Sequence, residues 1–310
     1  MLIKDLSCVC LMGPTAVGKT DWALEWVDLF PVEIISIDSA MIYRGMDIGT
    51  AKPSPEILAR VPHHLIDVCD PTATYSAAQC CADVLSSCLD IQQRGKVPLL
   101  VGGSMMYFHA LQQGLSQLPP ANPELRVILL EQALMYGWSE MHRRLSEVDA
   151  VSAHRIHPSD TQRIQRALEI YQITGIPWSV LCETRPNKHA IRWCNIVMLP
   201  ESREVLHARI AVRLLQMLDQ GFLDEVVQLT QRWQLTAAHP SIRCVGYRQA
   251  FEYLHGAYDY SIFVEKAQAA TRQLAKRQLT WLRQWPDAQT VFAHDRLAVL
   301  EKIQQFIDNR

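Results

Sequence analysis

Residues 13–20 read Gly-Pro-Thr-Ala-Val-Gly-Lys-Thr, the G-x-x-x-x-G-K-T spacing of a loop that cradles phosphate. Before it, Leu6, Cys8, Val9, Cys10, Leu11 and Met12 form the short apolar run of a buried parallel strand; after it, Trp22, Ala23, Trp26 and Val27 recur at helical spacing. Strand, loop and helix in that order commit a chain to an α/β layout with the loop at the carboxyl end of a strand. Gly13 and Gly18 let the loop (Gly13, Pro14, Thr15, Ala16, Val17, Gly18, Lys19, Thr20) wrap its backbone N–H groups around phosphate oxygens. Lys19 supplies a cation, and Thr20 offers a hydroxyl to a divalent metal at the helix N-terminus. The pattern specifies phosphate or diphosphate and leaves its carrier open.

Residues 32–37 form a second strand-like run ending in Asp38 and Ser39, and residues 97–101 a third ending in Gly102, Gly103 and Ser104. Alternation of such runs with helical stretches continues to about residue 115, predicting a P-loop core with a parallel sheet flanked by helices. Ligands of such sheets bind outside the carboxyl ends of the strands, so the three strand ends converge on one crevice. From Leu118-Pro119-Pro120 the texture becomes helical and rich in Arg, His and Gln, until residues 191–198 again look like a strand. The expected division is therefore 1–118 as the first part of the core, 119–189 as a small all-helical insertion, and 190–310 as the completion of the core with C-terminal helices, the last long one broken at Pro286.

Composition excludes several classes. At 310 residues, 49% hydrophobic and 20% charged, the chain has globular proportions and no apolar run long enough to cross a bilayer. The start, Met-Leu-Ile-Lys-Asp, lacks the pattern of a signal peptide, so the expectation is a cytoplasmic protein. Nine cysteines include no C-x-x-C pair and the number is odd, which speaks against a disulfide framework or a zinc knuckle and for small buried hydrophobes. A net charge of −2 excludes a globally basic nucleic-acid protein, and any polyanion partner must be read from local patches.

Asp38, just past a strand and across a crevice from the loop, suits a Mg²⁺ ligand, a proton acceptor for a nucleophile, or a cap on the next turn. Asp47 and Thr50 are explained by the Gly- and Pro-bearing loop around them. His63 and His64 lack metal-ligand spacing. Ser159-Asp160-Thr161-Gln162 has the S-x-x-Q form of a capping box. The helix it predicts has an apolar face of Ile164, Ala167, Leu168 and Tyr171 and ends at Gly175 and Pro177. Gln162 and Arg166 point away from that face, with Arg163 at its border, toward phosphates or base edges. Stepping about 100° per residue along the last long helix groups Arg272, Lys276 and Arg283 on one stripe, with Leu274, Trp281 and Trp285 opposite. No acid lies between residues 266 and 286, which favours a polyanion partner. Arg243-Cys244-Val245-Gly246-Tyr247-Arg248 adds two cations, a flexible Gly and a Tyr able to stack. Three such segments point to RNA.

The loop at residues 13–20 resembles, together with four other segments, the signature set of the tRNA dimethylallyltransferases. Those segments are residues 38–44 with 47–53, Gly102-Gly103-Ser104, residues 160–169 and residues 245–249. The resemblance runs in order along nearly the whole chain. It implies transfer of a dimethylallyl group from dimethylallyl diphosphate to the exocyclic N6 amine of the adenosine 3′-adjacent to the anticodon, on a P-loop core with a helical insertion. By the same resemblance Asp38 is the base or hydrogen-bond acceptor for the amine, while the loop amides, Lys19, Thr20 and Mg²⁺ neutralise the departing diphosphate. Thr15 and Ser104 add hydroxyl contacts, and Arg213 or Arg209 reaches the diphosphate. The tRNA anticodon stem-loop is expected to contact Asp38, Ser39, Ala40, Met41, Ser104, Arg126, Gln162, Arg163, Ile164, Gln165, Arg166, Arg243, Cys244, Val245, Gly246, Tyr247, Arg248, Lys276, Arg277 and Arg283, with the target base flipped into the crevice.

Two departures stand out. Many members carry Gln where Met41 stands, which removes a side-chain amide from the base side, and Thr-Gly-Leu where Ser104-Met105-Met106 stands, where Ser104 keeps the hydroxyl. The zinc-finger tail of eukaryotic members is absent, so a bacterial-type enzyme is expected, as a monomer and without a membrane partner. A small-molecule or nucleotide kinase would use the same loop for ATP, with the Arg-bearing insertion as its lid. A guanine-nucleotide switch is disfavoured because Asn187-Lys188-His189-Ala190 lacks the Asp of an N-K-x-D motif.

Overall fold

The computed structural model describes residues 6–183, 191–292, 295 and 297–309; Asn187-Lys188-His189-Ala190 therefore lies outside the described residues. The chain divides into two compact units, one built from residues 1–111 and 189–310 and the other from 112–188. The break into the insertion thus falls seven residues before the expected position, since 112 precedes 119 by that number, and the return one residue before it.

In the larger unit the elements are β1 (Ser7–Met12), α1 (Lys19–Leu29), β2 (Val32–Ile37), α2 (Pro55–Arg60), β3 (His63–His64), α3 (Ala77–Gln93), β4 (Val97–Gly102) and α4 (Met105–Gln113), the last running just past the break. After the insertion come β5 (Arg192–Leu199), α10 (Arg203–Asp219), α11 (Phe222–Trp233), α12 (Tyr247–Leu254), α13 (Tyr260–Leu282), β6 (Ala288–Phe292) and α14 (Leu297–Asp308). The insertion holds α5 (Pro123–Tyr136), α6 (Trp138–Val148), α7 (Ala150–Arg155), α8 (Thr161–Thr174) and α9 (Trp178–Glu183).

The strands pair in the order β3-β2-β4-β1-β5-β6, all parallel. Because both faces are covered, β1 and β2 are buried at every residue rather than on alternate ones, the polar Ser7, Glu33 and Ser36 included. One face packs Val9, Leu11, Ile34 and Leu99 against Trp22 and Trp26 of α1; the other packs Cys8, Cys10, Ile35 and Leu100 against Val84, Cys88 and Ile91 of α3. Cys8, Cys10, Cys69, Cys80, Cys88 and Cys194 are buried and none of the nine cysteines forms a disulfide, in keeping with the small-hydrophobe role expected of them. A third cluster, centred on Phe222, Val226, Tyr247 and Phe263, joins α10, α11, α12 and α13 to the loop that follows β2. No helix among the described residues is long and apolar enough to cross a membrane.

The insertion has its own core of Leu129, Met141, Leu145, Ile156, Ile164, Ala167 and Leu168. Two expectations for α8 are corrected here. Its N-cap is Asp160, whose carboxylate accepts the Arg163 amide, whereas Ser159 is turned to the His157 ring. A carboxylate one residue closer to the first turn displaces the hydroxyl, and its charge suits the helix N-terminus. Ile164 is fully buried in the insertion core and presents no surface to RNA.

Candidate active site

The phosphate loop runs from the end of β1 into α1. Gly13 is buried against the end of β5, where a Cβ would lie 2.8 Å from the Met198 carbonyl oxygen, so only glycine fits. Gly18 adopts φ 105° and Ala16, unusually for a residue with a Cβ, φ 63°. The Lys19 ammonium is turned onto the loop itself, donating to the carbonyls of Gly13 (3.0 Å) and Pro14 (2.8 Å). Arg209 of α10 braces the loop by donating to the Val17 carbonyl at 3.0 Å. Val17 is buried in the core and contributes backbone only.

Asp38 follows β2, next to β4 in the sheet and one strand removed from the loop. Its Oδ1 accepts the amides of Ala40 (2.8 Å) and Met41 (3.3 Å). The turn-capping role is therefore real, and it uses one carboxylate oxygen to hold the group in place. Ser104, after β4, joins this edge: its Oγ accepts the Ser39 amide at 3.0 Å and lies 3.2 Å from Ser39 Oγ. Met41 packs its sulfur 3.9 Å from the Ser36 hydroxyl.

Two cavities adjoin these groups. The first, about 1480 Å³, is lined by the phosphate loop, Asp38, Met41, residues 50–55, Arg209, Arg213 and Gln216. The second, about 620 Å³, is lined by Ser39, Ser104, Tyr107, Arg243, Cys244, Val245, Gly246, Leu274, Arg277 and Trp281. Both share Thr15, Ala16, Asp38, Thr50, Gly103, Arg213, Met217 and Gln278, so they meet at the carboxylate and the start of the phosphate loop.

Electrostatics agree with this junction. Burial pulls the Lys19 ammonium down to about 8, against the opposing pull of Asp38 and with help from Arg213. Burial also lowers Arg213, again opposed by Asp38, and pushes the Cys244 thiol up to about 12, with Asp38 adding to the shift. Arg213, whose guanidinium donates to the Thr50 carbonyl at 3.2 Å, thus faces the same junction as Lys19 and Asp38.

A loop of residues 43–53 walls the first cavity and is fastened from α11. Glu225 accepts the amides of Asp47 (2.9 Å), Ile48 (2.6 Å) and Gly49 (3.1 Å) and the Tyr247 hydroxyl (2.5 Å). Gly49 is pressed on the same pair of rings: a Cβ there would fall 2.2 Å from Phe222 and 2.6 Å from Tyr247. Lys52, with its side chain almost fully buried, pairs with Asp47 and Asp67.

Several predicted contacts take other roles. Tyr247 is 1% exposed, edge-on to Phe222 at 5.1 Å, and has no face free to stack on a base. Arg126 and Arg166 both grip the fully buried carboxylate of Glu169, Arg166 also donating to the Pro119 carbonyl; Gln165 donates to the Arg126 carbonyl. These are internal ties of the insertion, leaving Gln162 and Arg163 as the exposed polar side chains at the start of α8. On α13 the buried side is Phe263, Ala267, Ala275, Gln278 and Leu282, so Leu274 and Trp281 are not core: they line the second cavity, Trp281 at 40% exposure, and Trp285 lies beyond the helix. Of the cations there, Arg277 lines that cavity, while Lys276 and Arg283 are exposed outside it, as is Arg248 of α12. His64 pairs with Glu33 and His63 with the Val61 carbonyl, and no cluster of three metal-binding side chains occurs among the described residues. Glu225 and Gln278 escaped sequence reasoning because a lone acid or amide on a helix carries no local signal.

Thr20 is exposed in the first turn of α1 beside Asp21. One hydroxyl completed by substrate phosphate oxygens and water is the donor set Mg²⁺ accepts, so the residues present fit that ion.

The parallel sheet, the phosphate loop on its carboxyl edge and the carboxylate opposite define a P-loop α/β enzyme. The model of the family described as IPP transferase matches residues 41–285, and the chain belongs to that family. It is 53% identical over 305 residues to the tRNA dimethylallyltransferase of Legionella pneumophila strain Paris, covering 97% of each, and 51% identical to that of Coxiella burnetii strain RSA 331, covering 98% of this chain and 97% of the relative. Among solved structures it is similar to the full-length tRNA isopentenylpyrophosphate transferase of Bacillus halodurans, with TM-score 0.71 and 32% identity over 99% of this chain and 98% of that one. It also shares the fold of a eukaryotic dimethylallyltransferase acting on tRNA, with TM-score 0.81 and 24% identity over 99% of this chain and 80% of that one.

Proposed function

We propose that this chain transfers a dimethylallyl group from dimethylallyl diphosphate to the N6 amine of the adenosine 3′-adjacent to the tRNA anticodon, yielding N6-isopentenyladenosine and diphosphate. The observation that carries this is the meeting of two cavities at Asp38, one bounded by the phosphate loop and the other by Arg243, Arg277 and Trp281. Two substrates that approach from opposite sides need such a junction, and the cations and the indole of the second cavity suit a nucleobase carried on a phosphate backbone. The names of the relatives support the same reading over the kinase.

An exocyclic aromatic amine is a weak nucleophile, because its lone pair is delocalised into the ring. Rate must come from orienting it, taking its proton and stabilising the leaving group. The donor diphosphate lies on the amides of residues 16–20, the Thr15 amide being held by Gln278, with Lys19 and Arg213 at its oxygens; Lys19 leaves the carbonyls of Gly13 and Pro14 to meet it. As nitrogen bonds to the allylic carbon, the carbon–oxygen bond breaks, its electron pair leaves with diphosphate, and the amine proton passes to the Asp38 carboxylate. The two amides on Oδ1 keep the carboxylate aimed while Oδ2 takes that proton. Thr20 would hold Mg²⁺, which when bound supplies further charge neutralisation to the diphosphate. The base is extruded into the second cavity. Arg243 and Arg277 lie along its path, and the exposed Gln162, Arg163, Arg248, Lys276 and Arg283 contact the stem-loop outside it. On this reading the chain acts as a monomer and, tRNA being its substrate, in the cytoplasm.

The test is mass spectrometry of nucleosides from unmodified tRNA incubated with the protein, Mg²⁺ and dimethylallyl diphosphate. Isopentenyladenosine is expected, with Asp38→Ala lowering turnover by about 10²–10⁴-fold while tRNA affinity stays within about twofold. Transfer of the ATP γ-phosphate to a small acceptor, with tRNA left unmodified, would overturn the proposal in favour of a kinase.

A further inference from the structure

Gln278 lies on the buried side of α13, and its carboxamide ends on the wall common to both cavities. Its Oε1 accepts the Thr15 amide at 2.9 Å and its Nε2 donates to the Gly103 carbonyl at 2.9 Å. Those two backbone groups belong to the turns after β1 and β4, which are neighbours in the sheet, so one side chain bridges the phosphate loop to the adjacent strand end. An N–H on one side and a C=O on the other dictate which way the carboxamide faces. Gly103 is shaped to this contact, since a Cβ there would lie 2.4 Å from Nε2. Immediately after the bonded amide comes Ala16 at φ 63°, a conformation that persists only where the surroundings enforce it. On the same helix Arg277 and Trp281 face the second cavity.

We infer that Gln278 is a positioning residue for the phosphate loop: it holds the Thr15 peptide against the end of β4, keeping the left-handed turn at Ala16 set for diphosphate before the donor arrives. The kinetic part of the argument rests on the transferase reading; the binding part does not. Glutamine is required because no other side chain of that length offers an acceptor and a donor together. A glutamate keeps the acceptor for Thr15 but sets a second acceptor against the Gly103 carbonyl, until protonation restores the donor.

Two isosteric variants test this. Gln278→Met removes both bonds, and is expected to weaken inorganic diphosphate binding and raise the donor KM roughly tenfold, the size of one or two lost hydrogen bonds, with the tRNA KM within twofold of wild type. For Gln278→Glu, the ratio of its donor kcat/KM to that of wild type should climb several-fold as pH falls from 8 to 5.5, while the Gln278→Met ratio stays flat. If Gln278→Met does not fold, the Gln278→Glu pH series decides alone. Diphosphate affinity and donor KM within twofold of wild type would overturn the inference, as would a flat Gln278→Glu ratio, or donor and tRNA constants worsening together with melting temperature. Wild-type protein that binds diphosphate but makes no isopentenyladenosine would sink the transferase reading, leaving the binding comparison to judge Gln278.

Discussion

Replacing Glu225 with alanine strips a carboxylate that takes hydrogen bonds from three successive backbone amides and from the Tyr247 hydroxyl. Water can reach the freed Asp47 amide, which lies on the surface, but the Ile48 and Gly49 amides are half-buried and the Tyr247 hydroxyl sits in the core. Leaving such donors without acceptors costs about 1–3 kcal/mol each, and the three are coupled, so a loss of about 3 kcal/mol is expected rather than the sum. At about 2–4 °C per kcal/mol for a unit of this size, melting should fall by about 6–12 °C. Equilibrium urea denaturation measures the loss, and hydrogen exchange measures its location: amides 47–49 should lose protection before those of β1 and β4. Residues 47, 48 and 50–53 wall the first cavity, so donor KM should rise as well. A stability loss below about 1 kcal/mol with unchanged exchange at 47–49 would refute the view that this one acid fastens the loop.

Lys19, held down to about 8 by burial, gains a proton when an anion arrives; inorganic diphosphate binding should take up protons near pH 8 and weaken as pH rises through it, read by calorimetry in buffers of different ionisation heat. Glu33 is held down to about 2, chiefly by Arg94, with His64 and Lys96 helping. A folded pKa below the unfolded value gives stability that is present above about pH 4.5 and lost as pH falls toward 2. Glu33→Gln should therefore flatten the acid limb of a stability–pH curve by about 2 kcal/mol. Arg166→Ala uncovers part of the buried Glu169 carboxylate and should destabilise the insertion by about 2–3 kcal/mol, whereas Arg163→Ala should weaken tRNA binding without moving its melting. Gly49→Ala drives a methyl into Phe222 and Tyr247 and should cost at least about 2 kcal/mol in urea denaturation.

Read alone, the sequence determined the features that depend on short-range chemistry. The phosphate loop is a local backbone program, the buried parallel strands are mainly apolar runs, Asp38 follows one of them directly, and a change to a helical, Arg-rich texture near residue 118 announces an insertion. Tertiary structure alone decided which charged and polar side chains have work inside the site. Arg126, Arg166 and Arg213 look alike in sequence, yet two are absorbed by Glu169 and the third reaches the junction beside Lys19 and Asp38. Tyr247 looks like a stacking platform until Phe222 and Glu225 enclose it, and Gln278 looks like nothing until it meets Thr15, 263 positions earlier. The physical reason is range: periodicity and turn chemistry act over a few residues, whereas the burial of a guanidinium, a phenol or a carboxamide depends on partners that only the folded chain brings within hydrogen-bonding distance.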